Sequence, residues 1–185
     1  MGPGNLIAPR LRRRLTYQPR QHPDLERPLL PFRAHGGKLL TYHGMEDRII
    51  TSENSAGYYA HVVDTMAAAP STLDSFYHYF SISGMGHRGG DEGAWSIRQT
   101  SMGTATSLDL SLNVLMALVR WVENRTAPET IRGTKFVGNN SAAGVGFTRK
   151  HCRYPFKDFH VGPGDRKSTR LNSSHCVTSR MPSSA

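Results

Sequence analysis

Gly36-Gly37-Lys38-Leu39-Leu40-Thr41-Tyr42-His43-Gly44-Met45-Glu46-Asp47 is the stretch on which the fold turns. Two glycines deliver the chain into a short apolar run over 38–43, which reads as a buried strand. Gly44-Met45-Glu46 then reads as a loop that carries Asp47 just past the strand's carboxyl end. A helix follows, with Thr51 or Ser52 marking its start and Glu53 in its first turn. Ala56, Tyr59, Ala60, Val63 and Met66 or Ala67 recur at the spacing of a core-facing stripe, and Pro70 closes the unit.

Downstream, Phe76-Tyr77-His78-Tyr79-Phe80-Ser81-Ile82-Ser83 is aromatic and β-prone, a second strand. It runs into Gly84-Met85-Gly86-His87 and a long Gly-rich loop from Gly89 to about Ser107. Loops of that length are functional or disordered. A helix is predicted over about 109–124, with Asp109 at its start and Leu112, Leu115, Met116, Val119 and Val122 sharing a face. Residues 131–137 and 145–148 are weaker strand candidates, and Cys152-Arg153-Tyr154-Pro155 begins a coil. Strand, helix, strand, helix predicts an α/β fold with a mostly parallel sheet covered by helices. Two convincing strands make part of such a sheet.

The ends of the chain differ from its middle. Of 185 residues, 23 are Lys or Arg and 14 are Asp or Glu, a formal charge of +9. Residues 1–22 hold five arginines and no acid, and residues 166–185 hold four basic residues and no acid. The middle, 23–165, is therefore neutral, which removes a nucleic-acid footprint from the domain. No apolar run approaches the roughly 18 residues of a membrane span. The basic start lacks an apolar h-region, so no signal peptide is visible. Residues 1–22, rich in Pro and Arg, read as a disordered arm or as a start taken from intron or another frame. Residues 166–185 resemble one reading frame of a DNA-sequencing adaptor, which sets them, Cys176 included, outside the expected fold.

Asp47 and His87 each stand just beyond the end of a strand, where open α/β sheets gather ligands and catalytic groups. Acid before histidine is the later half of the Ser…Asp…His order of an α/β-hydrolase. That chemistry needs an imidazole to take a serine's proton and a carboxylate on its other nitrogen to hold the tautomer. Spacing alone also fits a turn aspartate and a solvated histidine. His43 fits packing, a backbone bond or a place at a substrate edge, and His78 fits core or surface. Trp95, in the loop after His87, is a candidate for lining a substrate pocket or for anchoring the loop. Trp121 fits helix packing. His22, His35, His61, His151 and His160 show no metal-ligand spacing.

Gly36-Gly37-Lys38-Leu39-Leu40-Thr41-Tyr42-His43-Gly44 with Asp47 resembles the acid-bearing segment of the tannase and feruloyl esterase family. Ser52-Glu53-Asn54-Ser55-Ala56-Gly57-Tyr58-Tyr59, Ser83-Gly84-Met85-Gly86-His87 and the helix from Asn113 through Trp121 continue the match. So do Ala127-Pro128-Glu129, His151-Cys152-Arg153-Tyr154-Pro155 and Val161-Gly162-Pro163-Gly164, and the similarity spans about 23–164. The resemblance implies the C-terminal part of an α/β-hydrolase with a separate lid. In it Asp47 is the triad acid, His87 is the base, and the activity is hydrolysis of phenolic-acid esters by a feruloyl esterase or tannase. It implies a small phenolic ester or a plant-polymer ester as partner, with no nucleic acid and no membrane. It also implies secretion and no cofactor in this segment, since Ca²⁺, where family members hold it, belongs to the lid. Cys152 is then expected to bond a more C-terminal cysteine of a complete protein, in the place where the adaptor-like tail now stands. The sequons Asn124-Arg125-Thr126 and Asn139-Asn140-Ser141 suit an extracellular protein.

Two departures stand out. Residues 1–46 contain no serine, and no Gly-x-Ser-x-Gly occurs in the chain, so the segment is expected to be inactive alone. Arg88 stands where the resemblance implies a cysteine bonded to one beside the nucleophile, which marks a homologue without that bridge or an error at this position. Two other readings stand beside this one: a non-enzymatic protein whose basic ends contact an acidic polymer, and an α/β-hydrolase of another substrate class.

Overall fold

The computed structural model describes residues 29–67, 69–98, 113–160 and 174–178. Leu30–Ala34 forms a short helix, α1, ahead of the first strand, β1, at Leu39–Gly44. Helix α2, Glu53–Thr65, and the single turn α3, Pro70–Leu73, lead to β2 at Tyr77–Ile82. β1 and β2 pair in parallel, with Leu39 opposite Tyr77 and Gly44 opposite Ile82. A parallel pair needs a crossover, and α2 supplies it.

β2 is buried on both faces, which is why it reads as a continuous apolar run. Period-two alternation sends Tyr77 and Tyr79 into one cluster with Tyr59, Val62, Leu73 and Phe76. Phe80 and Ile82 enter the other, with Met85, Trp95, Ile97, Val114 and Ile131. His78 is core: its two ring nitrogens lie 3.0 Å from the Pro128 carbonyl and 3.1 Å from the Asp74 carbonyl. Its ring stacks on Trp121 at 4.4 Å between centroids, so Trp121 is a packing residue.

Helix α4, Val114–Asn124, is capped by Asn113, whose side-chain oxygen accepts from the Leu115 and Met116 amides. β3, Thr130–Phe136, and β4, Val145–Cys152, form an antiparallel pair. β5, Phe156–His160, pairs antiparallel with β6, Ser174–Thr178. Two isolated bridges join these pieces to the parallel pair: Phe80 with Arg153, and Ser96 with Thr134.

Several expectations change. The sheet is not mostly parallel among the described residues, because only β1 and β2 run together while β3–β4 and β5–β6 are antiparallel. Pro70 opens α3 instead of closing a unit, since a helix's first turn needs no proline N–H. Ala60 is exposed, and α2 buries Tyr59 and Val62 because the aromatic side of β2 draws those side chains in. On α4, Leu115 and Val122 are exposed while Val114 and Trp121 are buried, as Trp121 docks on His78. The coil expected after Cys152 becomes β5. Finally, Cys176 is not outside the fold: it lies on β6 opposite Asp158 and is bonded to Cys152, with Cα atoms 5.8 Å apart. Cys152 thus finds its partner within the adaptor-like tail itself, not in chain beyond this segment. The arm 1–22, residues 99–112 and all of the tail except Ser174–Thr178 lie outside the described residues.

Candidate active site

β1 ends at Gly44 and β2 at Ile82, side by side and in the same direction, so the loops that follow emerge together. Backbone bonds tie them, from the Met45 amide to the Ile82 carbonyl at 3.0 Å and from the Glu46 amide to the Met85 carbonyl at 2.9 Å. The approach is close enough to require glycine, because a Cβ on Gly44 would lie 2.2 Å from the Met85 carbonyl oxygen. Asp47 then turns back, its amide bonding the Gly44 carbonyl at 3.3 Å.

The two loop residues meet. Asp47 Oδ2 lies 2.9 Å from His87 Nδ1. Asp47 Oδ1 accepts from the amides of Ile49 at 2.8 Å and Ile50 at 2.9 Å. The Asp47 side chain is 5% exposed and that of His87 is 30% exposed. The Ile50 amide above all, joined by His87 and the Ile49 amide, holds the Asp47 carboxyl well below the ordinary carboxylate range, with burial opposing them. An ionised oxygen facing Nδ1 is an acceptor, so Nδ1 carries the imidazole proton and Nε2 keeps its lone pair. A base oriented by a carboxylate in this way is suited to drawing a proton from a hydroxyl.

Other sites of interest fall as follows. Trp95 is buried and its indole N–H donates to Asn139 Oδ1 at 2.9 Å, the loop-anchoring of its two expected arrangements. Arg88 is exposed with φ of 75°, a left-handed backbone for a residue with a side chain. The chain's two cysteines bond each other, so the bridge beside the base does not form within this segment. Among the described residues no cluster of His, Cys, Asp or Glu is placed to hold a metal ion, and no helix is long and apolar enough to cross a membrane.

His43 adds what the sequence reading missed. Its Nε2 lies 3.1 Å from the Ile50 carbonyl, a backbone bond of the kind expected, but also 3.3 Å from Asp47 Oδ2. Its Nδ1 lies 2.7 Å from Ser55 Oγ. The signal was present in the spacing from His43 to Asp47 around a tight turn. It is legible only once the turn is known to fold the carboxylate back on the strand.

The profile of the family described as "Tannase and feruloyl esterase" matches residues 21–177. A probable feruloyl esterase B-2 of Aspergillus terreus is 51% identical over 149 residues, covering 80% of this chain and 28% of that protein. Feruloyl esterase C of Talaromyces stipitatus is 49% identical over 151 residues, covering 82% of this chain and 28% of its own length. A crystal structure of an esterase from Aspergillus oryzae superposes with a TM-score of 0.73 at 48% identity, over 81% of this chain and 29% of that one. The chain thus spans under a third of the length of the relatives it matches.

Proposed function

The chain belongs to the tannase and feruloyl esterase family, and we propose that it supplies the acid and base of a phenolic-ester hydrolase, Asp47 and His87. The fold is the corresponding part of an α/β-hydrolase. The 2.9 Å contact between Asp47 and His87, made by side chains 40 positions apart, carries the reading. In it, Nε2 of His87 accepts the proton of an attacking hydroxyl and returns it to the departing alcohol. Asp47, kept ionised by its amide donors, stabilises the imidazolium formed between those steps. The attacking serine comes from chain outside this segment, consistent with a stretch before Asp47 that contains none. The segment alone is then inactive. Its substrate is an ester of a ferulate- or gallate-type acid, and its place of action is extracellular, in keeping with the Cys152–Cys176 bond.

The test is a chimera in which this chain replaces the matching 149 residues of the Aspergillus terreus relative. Hydrolysis of methyl ferulate and methyl gallate by the chimera supports the assignment. His87→Ala should lower kcat by about a million-fold. A folded chimera whose His87→Ala variant hydrolyses both esters at the parent rate would overturn it.

A further inference from the structure

Behind Asp47 and His87 lies a second imidazole that the acid–base chemistry does not use. We propose that His43, held by Ser55, is a positioning residue that keeps Asp47 Oδ2 aimed at His87; this rests on the acid–base reading of that pair. His43 Nε2 faces two acceptors, the Ile50 carbonyl at 3.1 Å and Asp47 Oδ2 at 3.3 Å, so it carries a proton. Its Nδ1 then accepts from the Ser55 hydroxyl at 2.7 Å, which ties the ring to the first turn of α2. The His43 side chain is only 12% exposed, and its bond to Ser55 is partly buried.

The donors complete Asp47. The two amides take Oδ1, while Oδ2 faces two imidazoles, one from the end of β1 and one from the loop after β2. Three hydrogen-bond donors, with the His43 Nε2–H as a fourth polar neighbour at 3.3 Å, surround the two oxygens and leave the carboxylate little freedom to rotate. The two rings hold complementary tautomers, Nε2–H on His43 and Nδ1–H on His87. Ser55, His43 and Asp47 also spell a serine-histidine-acid order. The His43 Nε2 proton, however, lies nearer the Ile50 carbonyl than the carboxylate, an arrangement for holding and not for relaying.

Nitrogen-edited NMR of the imidazoles in the full 185-residue chain tests this. The parent should show Nδ1–H at His87 and Nε2–H at His43. His43→Leu should move the His87 Nδ1 proton upfield and speed its exchange with water severalfold, with far-UV dichroism unchanged. His43→Gln, whose amide can still donate to Asp47, should restore much of the signal, and Ser55→Ala should give His43 mixed tautomers. A His87 Nδ1 resonance unmoved in His43→Leu, or Ser55 labelled by a fluorophosphonate probe, would overturn the proposal. If His43→Leu does not fold, Ser55→Ala decides it: a His43 that keeps a pure Nε2–H tautomer in that variant overturns the proposal. Asp47→Asn is the separate arm: a His87 resonance indifferent to that change defeats the acid–base reading itself, whatever His43 does.

Discussion

Asp47 shows how much of a site is set by atoms that sequence patterns do not list. Its partners are two backbone amides and two imidazoles, and only His87 among them is visible as a motif. Gly44 is the other decisive residue, because it lets the two loops touch. Gly44→Ala would drive a methyl into the Met85 carbonyl and should destabilise the chain by about 1–3 kcal/mol, read as a lower urea midpoint. The same variant should weaken the His87 Nδ1 proton signal, since displacing the Met85 loop carries His87 away from Asp47. An unchanged midpoint and signal would mean that the loops are held by something other than this approach. His43 was legible as a strand-end histidine with a backbone bond, but its reach to Asp47 depends on a turn that spacing does not specify.

At the level of elements, β1, α2 and β2 were readable because each carries its own period or apolar run, and their boundaries shift by only a residue or so. β5 was not, because its pairing partner β6 lies far along the chain. The turn between β4 and β5 shows why such long-range pieces matter. Arg153 donates to Asp74 Oδ1 and Glu129 Oε2, both at 2.7 Å, so one guanidinium joins the segment before β2 to the entrance of β3. Beside it the Tyr154 amide bonds the Tyr79 carbonyl at 2.7 Å. Arg153→Ala leaves the half-buried Asp74 without its cation and should cost about 1.5–3 kcal/mol in denaturant unfolding. Glu129→Ala, at the exposed end of the same network, should cost under about 1 kcal/mol. Equal costs would put the anchor elsewhere.

Across the whole molecule, stability should depend on pH in two stages. Burial pushes the His78 and His151 imidazoles below their ordinary range, so folding favours their neutral forms. Their contribution is whole above the unfolded value near 6.5 and declines as pH falls below it. Asp47, whose carboxyl is depressed, contributes above its unfolded value near 3.9 and loses that only in stronger acid. Urea midpoints should therefore fall from about pH 8 to about pH 5.5 and fall again towards pH 3; a flat profile between the first two contradicts the histidine assignment. The Cys152–Cys176 bond closes a loop with a sequence separation of 24, worth up to about 3.5 kcal/mol from unfolded-chain entropy. Cys176→Ser should lower the unfolding free energy by up to that amount, read as a lower urea midpoint, and an unchanged midpoint would place β6 outside the cooperative unit.

The sequence by itself determined the α/β order, the two parallel strands and the positions of Asp47 and His87 beyond them. Each of these depends on local period, on turn residues, or on motifs that recur in a fixed order. Tertiary structure alone decided that those side chains meet at 2.9 Å, that His43 and Ser55 stand behind them, and that Arg153 and Cys176 close distant parts of the chain. Those contacts depend on how far one strand end lies from another. That distance is set by packing around β2 and by the backbone approach at Gly44, and neither leaves a period in the sequence.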